Sequence, residues 1–500
     1  MADPSPPRVV DGATHNGIPT TTLEGAYPPY VGTLSIGVGT ADEAPLQMGI
    51  THLAEHLVFR VLDETIPPRA EGITSAHTLE FSVTGTPAEV AAGLNQIGAV
   101  LAAPHFDPNN VDRERRVVRA ERGGGGVFGA GLLTYRYGVG GVGNAHHTGE
   151  PATSYLTAPD AQQWISTWAT RSNARLHFAG PVPAGLNVQL PERPVPARSV
   201  SVPLVTRPSL VESGKGGVAL SLLVDAGLAP ILRDVVVHDL LRALRHDCGL
   251  IYSVIPEITG IGEGRAQLDF VLDPVEDDVA RTVEEATLAL RRIARDGVSA
   301  MGLARTQTGW RNDLDNPYAW GRYLDAATEA DLQGFPRPPE PPDLLRIIET
   351  ITPHELTKTL ADALGSLLVA YDETEELRDG LADELGLVLD DFSPWRPATS
   401  RRPRRWTARA RPTGRYRRRV MLGVADTVLW RRLRDDWETL DLTTLALVGL
   451  CPDGALELMD GRGRACVLDL DDWNGGERFR EAVLAATPHT IQRDMSLFHD

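Results

Sequence analysis

The chain has 500 residues, of which 42% are hydrophobic, which is enough for several packed cores, and its formal net charge is −18. Such an acidic protein is not expected to bind nucleic acid through its main body. It has three cysteines, no apolar segment near Met1 and no run of about 18 apolar residues, so the sequence predicts a cytoplasmic protein without a disulfide framework, signal peptide or membrane span.

The first 198 residues alternate strand-like and helical segments. Strands are predicted at residues 30–38, 78–83 and 175–178, and helices at 88–101 and 158–168. Residues 199–392 repeat this plan, with strands at 218–224 and 267–272 and helices at 232–245 and 277–294. Two similar halves predict an α+β fold that is duplicated once, with the Pro- and Arg-rich residues 191–207 as the connection.

The end of the chain differs in composition. Residues 393–419 contain eleven arginines and no acidic residue, and we interpret them as a charged linker. Binding of anionic lipid or nucleic acid is the less common explanation for such a run. Residues 420–500 predict short strands with turns at Asp453-Gly454 and Asp460-Gly461, then a helix near residues 477–485. This pattern is similar to a small pleckstrin-homology-like β module.

One short segment of the first half, His52-Leu53-Ala54-Glu55-His56, carries a metal motif. On a helix, His52 and His56 lie one turn apart on the same face, so two imidazoles can bind one zinc ion. Glu55 lies beside them, where its carboxylate can act as a general base toward a water on that metal. The order His-x-x-Glu-His is the inverted zincin arrangement, and a catalytic zinc site requires one further protein ligand.

A second helix is predicted at residues 107–121, with Asp107 and Pro108 at its N-terminus. Within it, Glu114 and Glu121 are seven residues apart and therefore lie on one face, two turns from each other. This helix is a candidate source of the missing ligand.

The two segments together resemble the pitrilysin/insulinase family of zinc metallopeptidases, the inverzincins. The resemblance is to the half-length branch, which includes mitochondrial processing peptidase and bacterial relatives. It implies one zinc ion per chain, bound by His52, His56 and Glu121, with Glu114 supporting the site and Glu55 as the general base. The interval between His56 and Glu121 is shorter than in that family, which indicates a loop deletion between the two helices.

The resemblance extends to a segment that follows the metal helix. Ser75, Ala76, His77 and Thr78, with the alternating residues up to Val83, are similar to the family's substrate-binding edge strand, although the family usually has Asn at the position of Ser75. Such an edge binds an extended peptide through main-chain hydrogen bonds. An ordinary strand of the sheet is the alternative interpretation.

In the second half, residues 245–254 are similar to a family element in which an arginine precedes a tyrosine. The resemblance implies that Arg245 binds the substrate backbone and that Tyr252 donates a hydrogen bond to the oxyanion. A helix end with a basic last turn, capped by Gly249, explains the same residues without a catalytic role.

The resemblance further implies two α/β-roll domains, residues 1–198 and 199–392, of which only the first binds metal. Two such domains form half of the enclosed chamber of full-length members, and half-length chains complete it by pairing. This chain carries both the zinc motif and the Arg245/Tyr252 pair, which favours a homodimer and leaves a heterodimer with a related subunit open.

These features together predict a zinc-dependent endopeptidase that hydrolyses short or unfolded peptides. Removal of a leader peptide from a precursor is a further hypothesis, by analogy. The alternative prediction is a non-catalytic scaffold or core subunit of the same fold, which binds a partner protein.

Overall fold

The computed structural model of the protein describes residues 7–25, 29–62, 69–121, 131–147, 149–198, 200–213, 217–275, 278–314, 316–372, 377–390, 392–413, 420–434, 436–471 and 473–495. These residues form four β-sheets with helices packed against them. The predicted α+β class is confirmed. Within this described part of the chain, no helix is long and apolar enough to cross a lipid bilayer.

Six strands form the first sheet: β1 (Arg8–His15), β2 (Ile18–Glu24), β3 (Tyr30–Ile36), β4 (Ala70–Thr74), β5 (Leu79–Gly85) and β6 (Ala174–Phe178). Their spatial order is β1-β2-β6-β3-β5-β4, and β2 and β6 are the parallel neighbours. The helices of this part are α1 (Ile50–Leu62), α2 (Pro87–Ala102), α3 (Pro108–Glu121), α4 (Leu132–Tyr137) and α5 (Ala158–Trp168). Short 3-10 helices lie at Thr40–Asp42, Pro45–Gln47, Gly141–His146, Pro151–Ser154 and Arg171–Asn173.

One buried cluster holds α1 on this sheet. Leu34 of β3 and Phe81 of β5 belong to the same apolar core as Leu53 and Leu57 of α1, and all four are at most 1% exposed. Burial of side chains of this size contributes about 1.5–3 kcal/mol each. The orientation of α1 is therefore set by its apolar face, which leaves its polar residues on the other side.

The second sheet also has six strands: β7 (Ser209–Ser213), β8 (Val218–Asp225), β9 (Ile251–Gly262), β10 (Arg265–Pro274), β11 (Leu368–Asp372) and β12 (Val388–Asp390). Its α-helices are α6 (Ala229–Leu240), α7 (Val279–Asp296), α8 (Ala300–Asp313), α9 (Pro317–Gln333), α10 (Pro341–Thr350), α11 (Pro353–Ala363) and α12 (Leu381–Glu384). Helix α6 continues as a π-helical segment at Leu241–Asp247, and α11 is followed by the 3-10 helix Leu364–Ser366.

The two sheets repeat one strand order. Five neighbouring strands of the first sheet run β2-β6-β3-β5-β4, and five of the second run β7-β11-β8-β10-β9. In both series the first pair is parallel and the next three pairs are antiparallel. The helix that follows the third strand of each series is α1 in the first sheet and α6 in the second.

The prediction that residues 78–83 form an edge strand is wrong. Residues 79–83 lie in β5, which pairs with β3 on one side and with β4 on the other. The edge of the sheet is β4, Ala70–Thr74. The alternation Leu79, Phe81, Val83 indicates a strand with one buried face, which is equally typical of an inner strand, whereas β4 has a Gly and few apolar residues and gives little strand signal.

Helix α9 of the second part packs across the first sheet. Trp320, Tyr323 and Leu324 form a buried cluster with Leu23 of β2. On the same helix, Asp325 Oδ1 lies 3.2 Å from Nε2 of the buried His177.

Two carboxyl groups at this interface have raised pKa values. Burial raises the pKa of Glu80 to about 7, and the neighbouring charges of Asp325 and Glu329 act in the same direction. Burial likewise raises the pKa of Glu329 to about 7. Both groups therefore favour the neutral form within the fold.

We predict that this pair makes the protein less stable as the pH rises from about 5 to about 8. In that window the folded chain binds more protons than the unfolded chain, whose glutamates titrate near 4.5, so the stabilisation present at low pH is lost as the pH passes 7. His77 acts with the opposite sign, because burial lowers its pKa. The urea midpoint of the Glu80→Gln/Glu329→Gln double variant should fall less between pH 5 and pH 8 than that of the wild type. The exposed Glu24→Gln variant is the control. An equal fall of the urea midpoint in the double variant and in the wild type would contradict this assignment.

Helix α4 joins the two halves. Its Arg136 is 0% exposed and donates hydrogen bonds to Oε1 of Gln267 at 2.9 Å, to the carbonyl of Ser366 at 2.9 Å and to Oγ of Ser221 at 3.1 Å. All three acceptors belong to the second half of the chain. A guanidinium is suited to this position because its planar donors reach several acceptors at once.

The segment predicted as a linker, residues 393–419, contributes two strands to a third sheet, so the linker prediction is wrong for its described residues. The strands of this sheet are β13 (Arg396–Pro397), β14 (Ala408–Pro412), β15 (Val420–Ala425), β16 (Val428–Leu433), β17 (Asp436–Asp441) and β21 (Trp473–Asn474), in the order β13-β17-β16-β15-β14-β21. Ala408 and Ala410 point into its core, and Trp406 stacks on Trp437 with ring centroids 5.9 Å apart. The many arginines conceal this alternation in the sequence.

A fourth sheet completes this C-terminal module. Its strands are β18 (Leu445–Leu450), β19 (Leu456–Asp460), β20 (Ala465–Leu468) and β22 (Gln492–Asp494), and the helix α13 (Gly476–Ala486) shares a core with both sheets. The turns at Asp453-Gly454 and Asp460-Gly461 connect its strands as predicted. The module packs against the first half, since Leu447, Met459 and Met495 form a buried cluster with Met48, two residues before α1.

Candidate metal centre

The metal motif lies on α1, as the sequence predicts. Leu53, Ala54, Leu57 and Val58 are buried against the sheet, so the remaining face of the helix carries the two histidines. The imidazole rings of His52 and His56 have centroids 4.9 Å apart. Because they are one helical turn apart, both side chains lie next to each other on the same face of α1.

A buried carboxylate fixes the beginning of α1. Glu43, 3% exposed, accepts hydrogen bonds from the backbone N–H groups of Gly49 at 2.8 Å and Thr51 at 2.9 Å. These are donors that the first turn of a helix leaves without an intrahelical partner. Burial raises the pKa of Glu43 to about 8.

Helix α3 brings Glu121 to the two histidines. Its Oε2 lies 3.4 Å from Nε2 of His52 and 3.4 Å from Nε2 of His56. In the described part of the chain, these three residues form the one group of His, Cys, Asp or Glu side chains whose ligand atoms converge, all within 4.8 Å of one another. The three ligands predicted from the sequence are thus brought together by the fold.

The other ring nitrogen of each histidine faces a carboxylate. Nδ1 of His56 lies 3.2 Å from Oε2 of Glu114, which is the supporting residue that the sequence predicts. Nδ1 of His52 lies 3.2 Å from both oxygens of Glu150. Glu150 was not predicted, because it lies in a Gly-rich stretch without periodicity and its approach to His52 depends on the path of a long connection.

Glu55 projects from α1 toward the edge strand β4. Thr74 donates a hydrogen bond to its Oε2 at 2.6 Å. Gly72 leaves room for the carboxylate, since a Cβ atom at that position would lie 2.5 Å from Oε1 of Glu55. Two residues of β4 therefore determine where this carboxylate lies.

A cavity of about 670 Å³ opens over these residues. It is lined by His52, Glu55, His56, Phe59, Arg60, Ala70, Gly72, Ile73, Thr74, Glu114 and Glu121. The metal cluster, the general-base candidate and the free edge of β4 therefore share one solvent-accessible space, large enough for a peptide segment.

The four residues predicted to bind substrate form the turn between β4 and β5. Oγ of Ser75 accepts hydrogen bonds from the N–H groups of His77 and Thr78 at 3.1 and 2.9 Å. The turn contacts the second half of the chain, where His77 donates from Nε2 to the carbonyl of Gly260 at 2.7 Å. None of Ser75, Ala76, His77 and Thr78 lines the metal cavity, and their role in substrate binding stays a prediction.

Arg245 and Tyr252 lie together in the second half of the chain. Arg245 lies in the last turn of the π-helical segment, and its guanidinium lies 5.1 Å from the ring centroid of Tyr252. Tyr252 is 68% exposed on the edge strand β9. The described lining of the metal cavity includes neither residue. Their catalytic role stays a prediction.

No protein-family model matches the chain, and no curated protein matches its sequence. Solved structures share its fold. A protease from Helicobacter pylori has a TM-score of 0.60 at 15% identity, over 73% of this chain and 100% of that one. A peptidase M16 inactive domain from Pseudomonas fluorescens has a TM-score of 0.60 at 12% identity, over 74% and 99%.

A mutant of the ferredoxin protease FusC, solved in complex with Arabidopsis ferredoxin, has a TM-score of 0.53 at 17% identity. That match covers 87% of this chain and 56% of FusC, so the chain spans about half the length of that protease. Pitrilysin is also a structural neighbour, with 46% of its length covered. The neighbours are thus peptidases of the family that the sequence resembles, and half-length relatives.

Proposed function

We propose that this protein is a zinc-dependent endopeptidase that acts on short or unfolded peptides. The observation that carries the proposal is the distance from the Glu121 carboxylate to each of the two histidines. Ligands that lie about 2.0–2.1 Å from a tetrahedral zinc ion are about 3.3–3.4 Å from each other, and Glu121 Oε2 lies 3.4 Å from each histidine Nε2. A direct hydrogen bond would hold these atoms closer, at about 2.7–2.9 Å.

The protonation pattern of the histidines also fits zinc. Each Nδ1 faces a carboxylate, which requires a proton on that nitrogen and leaves the lone pair of Nε2 directed at the cluster. Three protein ligands leave one position for water or substrate. A bound zinc ion would supply a Lewis acid that polarises the scissile carbonyl and acidifies a water molecule.

In the proposed reaction Glu55 moves the protons. Its carboxylate accepts a proton from water as the water oxygen bonds to the carbonyl carbon, and then gives that proton to the amide nitrogen as the C–N bond breaks. Arg245 and Tyr252 are proposed to bind the substrate backbone and the oxyanion. Because they do not line the cavity, this role requires another arrangement of the halves or a second copy of the chain.

The substrate is proposed to bind along β4. This strand ends the sheet, so its outer N–H and C=O groups can pair with an extended peptide regardless of side chains. Ile73 is 53% exposed there and lines the cavity, so it offers an apolar contact to one substrate side chain. Main-chain pairing suits unfolded peptides, including a leader peptide of a precursor.

We further propose that the two halves are homologous α/β-roll domains that act as a dimer. The repeated strand order supports the first point. The dimer is supported by the lengths of the neighbours. The chain covers the whole H. pylori protease but about half of pitrilysin, so two copies would supply a full-length set of domains. A homodimer is the simpler assembly, and a cytoplasmic location is consistent with the three free thiols, Cys248, Cys451 and Cys466.

Removal and return of zinc tests the proposed activity. We expect the purified chain to cleave a mixture of unstructured peptides, with products identified by mass spectrometry. Treatment with a chelator should abolish cleavage, and one equivalent of zinc per chain should restore it. The same cleavage before and after verified removal of the metal would exclude a zinc peptidase.

A second candidate function is a non-catalytic scaffold. It is favoured by the P. fluorescens neighbour, an inactive domain that shares the fold with a TM-score of 0.60. This candidate predicts no cleavage at any zinc concentration, together with stable association with a partner chain. The intact set of His52, Glu55, His56 and Glu121 favours the peptidase.

A further inference from the structure

The carboxylates that face the two candidate zinc-binding histidines come from different parts of the chain. Glu114 is on α3, the helix that also supplies Glu121. Glu150 lies outside that helix, immediately before the 3-10 helix Pro151–Ser154, and is 4% exposed. It reaches His52 with both oxygens at 3.2 Å.

The backbone at Glu150 is unusual. Its φ and ψ are 45° and 53°, in the left-handed region that non-glycine residues rarely adopt. Such a conformation persists where surrounding contacts enforce it, and it is concentrated at functional sites. A glycine would adopt this conformation without strain, so Glu150 occupies a position whose backbone favours glycine.

Contacts from two parts of the fold hold the segment that bears Glu150. Arg115, adjacent to Glu114 on α3, donates from Nε to the carbonyl of Thr153 at 2.5 Å and from its terminal nitrogen to the carbonyl of Ser154. The N–H of Ala152 donates to the carbonyl of Met48 at 3.2 Å. Helix α3 therefore provides one carboxylate directly and anchors the segment that provides the other.

The start of α1 is shaped to admit this segment. Gly49 has φ +101°, and a Cβ atom there would lie 2.9 Å from both Cβ of Glu150 and Cγ2 of Thr153. The absence of a side chain at Gly49 thus lets Glu150 approach the first turn of α1.

From these contacts we infer that Glu150 is a positioning residue for the metal ligand His52. As acceptor of the Nδ1 proton, it fixes the tautomer and ring orientation in which Nε2 faces the ligand cluster, and its charge increases the basicity of that nitrogen. The inference rests on the zinc site of the proposed function. It names a supporting residue that the sequence resemblance does not provide.

The test measures zinc affinity, which does not depend on catalysis. Full-length, zinc-free protein is titrated with zinc in competition with a chromogenic chelator. Glu150→Gln and Glu150→Gly are each expected to raise the zinc dissociation constant about 10–100-fold, as Glu114→Gln should do at His56. Glu192→Gln, whose side chain is 77% exposed, serves as the matched control and should bind like the wild type.

The glycine variant distinguishes an effect on the position of His52 from an effect on the stability of the fold. Glu150→Gly removes the carboxylate but suits the positive φ, so the zinc-free variant should unfold at or above the wild-type temperature. Cobalt-loaded Glu150→Gln should also show a shifted visible absorption band, because the ligand field at the metal changes. These readouts report on His52 rather than on general stability.

Unchanged zinc affinity in both Glu150 variants would overturn the inference, and so would a wild-type chain that binds no zinc. If the wild type binds zinc and the variants bind it weakly, but no peptide is cleaved, the positioning role stands and the proposed peptidase activity fails.

Discussion

The Glu55→Gln variant is expected to cleave peptides about 10²–10⁴-fold more slowly than the wild type, at unchanged zinc affinity. Glutamine keeps the size of the side chain and can still accept the hydrogen bond from Thr74 Oγ1, 2.6 Å away in the wild type. It cannot accept the proton of the attacking water. The measurement is the initial rate of cleavage of one peptide identified by mass spectrometry, with the zinc content of each protein determined beforehand.

Glu71→Gln is the matched control for this variant. Glu71 is exposed on β4, next to Gly72, and does not line the metal cavity. The same change of charge is therefore made within the proposed substrate strand but outside the cavity that holds the candidate metal site. The cleavage rate of this variant should stay within a factor of about two of the wild-type rate, the size of ordinary surface effects. Wild-type activity in Glu55→Gln would remove Glu55 from the mechanism.

The Arg136→Met variant is expected to lower the free energy of unfolding by about 3–5 kcal/mol. Methionine fills much of the volume but leaves Gln267, Ser366 and Ser221 without the donor they share in a site that is 0% exposed. A buried acceptor without a hydrogen-bond donor destabilises the folded state, because it has lost its hydrogen bonds to water and has no protein partner. Urea unfolding followed by tryptophan fluorescence measures the effect.

Two comparisons give this prediction its specificity. Arg305→Met, at an exposed position of α8, should change the free energy of unfolding by less than about 0.5 kcal/mol. Arg136→Lys should recover only part of the loss, since one ammonium group cannot satisfy three acceptors from a planar fork. An Arg136→Met protein as stable as the Arg305→Met protein would show that α4 is not a principal joint between the halves.

The candidate ligand residues could be predicted in part because local spacing places them. His52, Glu55 and His56 lie on one helical turn, and Glu114 and Glu121 lie on one face of another helix, so helical periodicity alone places each set. The expectation that the two sets lie together in the fold came from the resemblance to a known family. The observed 3.4 Å separations confirm that expected meeting.

What could not be predicted depends on tertiary contacts. Glu150 reaches His52 from 98 residues away, through a segment held by Arg115. The edge strand β4 has little apolar signal of its own, so the sequence pattern favours its neighbour β5 as the edge. Strand β14 was hidden among arginines because its inward residues, Ala408 and Ala410, are small and give weak alternation.

The C-terminal module, which would be described from sequence as an accessory appended to a two-domain enzyme, forms part of the wall behind the metal helix. Its residues Leu447, Met459 and Met495 cover Met48, whose carbonyl accepts the hydrogen bond from Ala152 beside Glu150. A fragment that ends at residue 392 would expose this apolar surface to water. The module therefore shields from water an apolar surface that adjoins the segment bearing Glu150.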